Sequence, residues 1–166
     1  MTEIKHEIHS DGTESWAIKG MLHREDGPAI IRADGTQKWY LNGQRHRRDG
    51  PAIICAYGTT QRWYQHGQRH REDGPAVILS NGTQAWYVHG QRHRTNGPAI
   101  VYPNGTQQWY QRGQLHREDG PAMTLPDGDR FWYLEDQRFG FYQWLDRVAT
   151  TPAHRTLLLL RWGKHD

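Results

Sequence analysis

The chain has one cysteine, Cys55, so an intramolecular disulfide is impossible and a reducing compartment is the natural setting. Its first residues, Met-Thr-Glu-Ile-Lys-His, lack the apolar stretch of a secretion signal, and Leu157 to Leu160 is far too short to span a bilayer. A soluble, cytoplasmic protein is the expectation. No glycine-rich phosphate loop precedes a helix, and no nucleophile elbow occurs. Cys55 falls in an apolar run, where a thiol is buried and inert. The expectation is therefore no enzyme, no cofactor and no metal. Lysine is scarce too: 17 of the 21 basic residues are arginine. A mean hydropathy of −0.98 implies a thin core, and eight tryptophans and eight tyrosines are available to build it.

What the chain does have is a repeat. The phrase His-Arg-x-Asp-Gly-Pro-Ala begins at His23, His46, His70, His93 and His116, with asparagine replacing the aspartate at Asn96. A tryptophan recurs at Trp16, Trp39, Trp63, Trp86, Trp109 and Trp132, in steps of 23 residues with a single step of 24. The longer step coincides with the doubled Thr59-Thr60, an insertion just after a turn, where a bulge is cheapest. A period of this length denotes an array of small units, about six in this chain.

Each unit reads as strands and turns. After Gly50-Pro51 comes an apolar run from Ala52 to Cys55, a turn at Gly58, the segment Thr-Gln-Arg-Trp-Tyr-Gln, and another turn at Gly67. Asp-Gly and Asn-Gly between β-prone runs supply the positive φ of tight hairpins, and proline suits the first position of a strand. The fold class expected is an all-β repeat: an elongated antiparallel β-meander of about six 23-residue hairpin units over residues 1–139. Each unit is a hairpin plus a connector carrying His-Arg-x-Asp. Simple alternation puts Trp39 with Gln37 on one face and Lys38 with Tyr40 on the other.

These glycine turns, the Trp-Tyr strand and the glycine before the next strand resemble the MORN-repeat variant of bacterial, phage and large-virus proteins, which includes the YwqK family of antitoxins. The likeness covers roughly residues 8 to 139. It implies an antiparallel sheet used for binding without catalysis, and an antitoxin, immunity or phage-encoded inhibitor role.

Residues 140–166 break the period. Phe141, Trp144, Leu145 and Val148 form one helical stripe, and Thr151-Pro152 reads as a cap followed by a first-turn proline. Leu157 to Trp162 is a second apolar element, helical by preference with an edge strand as the alternative. Capping of the array is the plainer role for this tail; a homodimer contact through residues 141–162 is the sharper one.

The repeated histidines invite a metal reading, which spacing opposes. Two strands per unit set equivalent atoms about 10 Å apart, whereas zinc holds its ligands at about 2 Å. His46, His70, His93 and His116 are therefore structural, as are Trp39, Trp63, Trp86, Trp109 and Trp132. The arginine after each histidine is read as closing a turn with its aspartate.

Departures from the pattern carry the functional signal. Arg48 replaces an acid, and Arg94 is followed by Thr95-Asn96. The position before the second glycine reads Asn42, His66, His89, Arg112 and Glu135. Residues 44–117 hold ten arginines against three acids, and residues 118–136 hold six acids against one arginine. The candidate partner-binding or anion-binding residues are Arg45, Arg48, Arg62, His66, Arg69, His89, Arg92, Arg94 and Arg112, with Tyr64, Tyr87 and Tyr110. Arginine forks hold carboxylates and phosphates bidentately and stack on rings. An acidic protein partner ranks first and a small nucleotide held between aromatic and arginine side chains second. Nucleic acid ranks third because the acidic far end repels a phosphate backbone. Membrane binding ranks last, since no basic amphipathic helix is evident.

Overall fold

In the computed structural model, which describes residues 3–163, antiparallel strands form repeated hairpins that end in two helices. The chain divides into two compact units, Met1–Gln91 and Arg92–Asp166.

In the first unit, sheet order follows chain order: Lys5–Ile8, Glu14–Ile18, Ile30–Ile31, Gln37–Lys38, Ile53–Ile54, Gln61–Arg62, Val77–Ile78 and Gln84–Ala85. Each strand is antiparallel to the next, so this is the expected meander. Register pairs Ile53 with Lys38 and Arg62, and Ile54 with Gln37 and Gln61. Directly paired residues share a face, so Ile53, Arg62, Val77 and Ala85 lie together.

The strands are short because the chain changes ladder at Trp39, Trp63, Trp86 and Trp109, whereas Trp16 and Trp132 lie inside continuous strands. Gln61–Arg62 belongs to the meander, whereas Tyr64–Gln65 pairs with Gln68–Arg69 in a second hairpin. Between them the Trp63 N–H donates to the Ala76 carbonyl at 2.8 Å, and the Trp63 carbonyl accepts from the His70 N–H at 3.3 Å. Tyr40–Leu41 with Gln44–Arg45 repeats this arrangement. A repeat is thus two hairpins and a loop, where sequence reading expected one hairpin and a connector. Alternation does not carry past Trp39, because Gln37–Lys38 and Tyr40–Leu41 are separate strands.

The second hairpins close through turns with positive φ at both central residues, 49° and 76° at Asn42-Gly43 and 47° and 78° at His66-Gly67. That is the turn whose twist matches paired strands. Successive hairpins are tied by backbone bonds: Gly67 N–H to the Arg45 carbonyl at 2.9 Å and Gly90 N–H to the Arg69 carbonyl at 2.9 Å. The inserted residue is absorbed in the loop. Cys55 N–H reaches the Thr60 carbonyl around a 3-10 turn, Ala56–Gly58, while Leu79 N–H reaches Thr83 over one residue fewer.

In the second unit, Ile100–Val101, Gln107–Gln108, Met123–Thr124, Arg130–Leu134 and Gln137–Phe139 pair in succession. Tyr110–Gln111 and Gln114–Leu115 form its second-type hairpin. Helix α1, Phe141–Val148, buries Trp144, Leu145 and Val148. Helix α2, Pro152–Trp162, starts where the Thr151 hydroxyl accepts the His154 N–H at 3.1 Å. Residues 156–162 are therefore helical: Leu158 enters the core, while Leu157 and Leu160 stay exposed. These helices pack on Trp132 and Phe139. The Trp144 and Trp162 indoles donate to the carbonyls of Arg117 and Asp119 at 2.9 and 3.0 Å, so the last repeat is covered as a cap requires. Among the described residues, no helix is long and apolar enough to cross a membrane.

Candidate anion-binding surface

Most of the repeated phrase is scaffold, and identifying that part isolates what is left for binding. Arg71 lies 4.2 Å over Trp63, donates from Nε to Asp73 at 2.8 Å and from Nη1 to the Pro75 carbonyl at 3.3 Å. Arg24 on Trp16 and Arg117 on Trp109 repeat all three contacts. Arg47 keeps its ring, Trp39 at 3.9 Å, and its proline carbonyl at 3.2 Å. Arg94 donates to the Pro98 carbonyl at 3.2 Å, which places it in this clamp. Gly74 fits beneath the guanidinium: a Cβ there would sit 2.9 Å from Arg71 Cζ. The alanine that follows each proline has no exposed surface at Ala29, Ala52, Ala76, Ala99 and Ala122.

The histidines bind the next repeat. Nδ1 of His46, His70, His93 and His116 accepts the backbone N–H of His66, His89, Arg112 and Glu135 respectively, at 3.2 to 3.3 Å. The neutral ring then carries its proton on Nε2. His66, His89 and Arg112 occupy the first central position of the tight turns, with φ of 47°, 47° and 51°. Their side chains are exposed, and the His66 and His89 rings lie 4.6 and 4.7 Å from those of His46 and His70.

Tyrosine and arginine come together on the second hairpins. Arg45 stands 5.4 Å over Tyr64 and donates to the Tyr40 hydroxyl at 3.3 Å. Arg69 stands 5.2 Å over Tyr87 and donates to the hydroxyls of Tyr64 and Tyr87 at 3.4 and 3.3 Å. In the second unit Arg92 stands 5.1 Å over Tyr110 and reaches its hydroxyl at 3.3 Å. Rings and phenols fix a guanidinium without neutralising it. Among the described residues, neither Arg45 nor Arg69 has an ion pair. Burial, with the charges of Arg32 and Arg45, holds the Lys38 ammonium below its usual range. Arg62 is half-buried on the meander face, opposite Ile53 and Val77, and Arg48 is exposed on its loop.

Sequence reading missed Tyr40 as a member of the row and missed the stacking of Arg24, Arg47, Arg71 and Arg117 on tryptophans. The second had a signal: Trp16, Trp39, Trp63, Trp86 and Trp109 each precede an arginine by eight residues. The histidines that occur once are scattered. His6 stacks on Trp16 at 4.4 Å, His9 meets Ser15, and His154 accepts from the Thr150 N–H. Compared with protein-family models and with curated proteins, the chain matches none.

Proposed function

We propose that this chain is a non-catalytic binding protein whose basic hairpin surface captures an acidic protein, neutralising or sequestering it as an antitoxin, immunity protein or phage-encoded inhibitor does. The observation that carries this reading is the row of Arg45 and Arg69, held in place by neutral rings and hydroxyls and left electrically uncompensated. A fixed guanidinium loses little freedom when a carboxylate arrives, and a patterned charge steers one complementary macromolecule. The resemblance of the repeat to MORN-variant antitoxins supports the same role. Nucleotide capture is less well supported, because Tyr64 and Tyr87 are only 6% and 8% exposed and arginines lie over the rings, leaving little face for a base.

The test is affinity isolation from host extract with the wild type and with a combined Arg45→Glu, Arg69→Glu and Arg92→Glu variant, alongside calorimetry with nucleotides and oligonucleotides. A single acidic protein, lost with the triple variant, is the expected result. Unchanged capture by the triple variant, or binding of nucleotide alone, contradicts the reading.

A further inference from the structure

In the first, third and fifth loops, the histidine Nε2 faces the glutamate two residues on: His23–Glu25 at 3.6 Å, His70–Glu72 at 3.5 Å and His116–Glu118 at 3.4 Å. Nδ1 of His70 and His116 accepts a backbone N–H from the next turn, so in these two rings Nε2 is the end that carries a proton toward the carboxylate.

The second loop keeps the first half of this arrangement and loses the second. His46 Nδ1 accepts the His66 N–H at 3.2 Å, but Arg48 stands where the glutamate would be. His46 is 7% exposed, and its Nε2 has no hydrogen-bond partner. A buried donor left unpaired is rare and calls for an explanation. His46 borders an open cleft of about 490 Å³ whose walls include Arg48 and, from the preceding loop, Glu25 and Asp26. Those two acids already face His23 and Arg24. Arg48 is exposed and has no ion pair among the described residues.

We propose that the His46–Arg48 cleft is a docking site for one carboxylate of an acidic protein partner, an aspartate or glutamate side chain that takes the place Glu25, Glu72 and Glu118 fill in the sibling loops. His46 Nε2–H donates to one oxygen and Arg48 pairs with the charge. The sibling loops supply the template for size and chemistry. Glu25 and Asp26, which also line the cleft, disfavour a phosphate dianion relative to a single carboxylate. The identity of the carboxylate's owner rests on the binding function proposed above; the site itself rests on the loop geometry alone.

The experiment follows the His46 ring signals by NMR in the full-length chain during titration with an acetylated, amidated hexaglutamate peptide, and separately with inorganic phosphate. A saturable His46 response to the peptide, tighter than to phosphate, is expected. Arg48→Glu rebuilds the loop found in three sibling repeats, so it folds, fills the site from within and weakens the response at least tenfold. The His46 response is read in the chain without its partner, whereas the Tyr–Arg row is read by the affinity isolation above, so failure of this site and failure of the row are distinguishable. No His46 response, an equal response in Arg48→Glu, or a tighter response to phosphate overturns the proposal.

Discussion

Replacing Gly74 with alanine isolates the arginine clamp from the rest of the fold. Its φ lies outside the left-handed region, so the backbone accepts alanine, and the damage comes from the added Cβ. That atom would lie 2.9 Å from Arg71 Cζ and 3.2 Å from Nε and Nη2, so the guanidinium must shift from its seat. It abandons Trp63 at 4.2 Å and the Pro75 carbonyl at 3.3 Å. The stacking contact is worth about 1 kcal/mol at a partly desolvated site, and the hydrogen bond about 1 kcal/mol net. The unfolded chain loses freedom on gaining a methyl, which returns about 0.5 kcal/mol. The Asp73 pairing lies in solvent and adds little. Gly74→Ala should therefore destabilise by about 1.5 kcal/mol, read by urea denaturation under tryptophan fluorescence. In an Arg71→Ala background the clamp is already gone, so the same change should become neutral or slightly stabilising. Equal losses in both backgrounds would refute the clamp.

The pH response follows from His46, whose pKa is lowered by burial, then by His66 and Arg48. Its unfolded value is about 6.5. The unfolded chain takes the proton first, so this group's contribution is whole above that value and is lost as pH falls through the lower folded pKa. Denaturation midpoints at pH 7.5 and 5.5 should show a loss that Arg48→Glu reduces; an unchanged loss would argue against it. Arg112→Asn, at an exposed turn position with φ 51°, should stabilise by about 1 kcal/mol, since asparagine accepts left-handed backbone; no gain in thermal midpoint would refute this. Thr151→Ala removes the cap of α2 and should cost about 1 kcal/mol, measured as faster amide exchange in Pro152–Trp162.

Periodicity made the meander legible, because every repeat places glycine turns and a tryptophan at the same offsets. The cap was legible for a similar reason: Phe141, Trp144, Leu145 and Val148 mark one helical stripe, and Thr151-Pro152 marks a start. The break at Trp39, Trp63, Trp86 and Trp109 was hidden, since Gln-Arg-Trp-Tyr-Gln reads as one strand until the partners on either side are known. The histidine bonds were hidden too, because the acceptor and the turn N–H lie about one repeat apart and only register brings them together. The basic middle was visible as charge, but dividing it into clamped arginines such as Arg71 and a ring-supported row at Arg45 and Arg69 requires knowing which ring each guanidinium meets. His66, His89 and Arg112 stood out as irregular charges; the glycine after each also marks them as turn positions.

Amide hydrogen exchange on the isolated complex tests the central claim most directly. The account predicts that bound partner protects the second hairpins, Tyr40–Leu41 with Gln44–Arg45 and Tyr64–Gln65 with Gln68–Arg69, and that high salt removes this protection. Protection confined to the cap helices, or unchanged by salt, would contradict it.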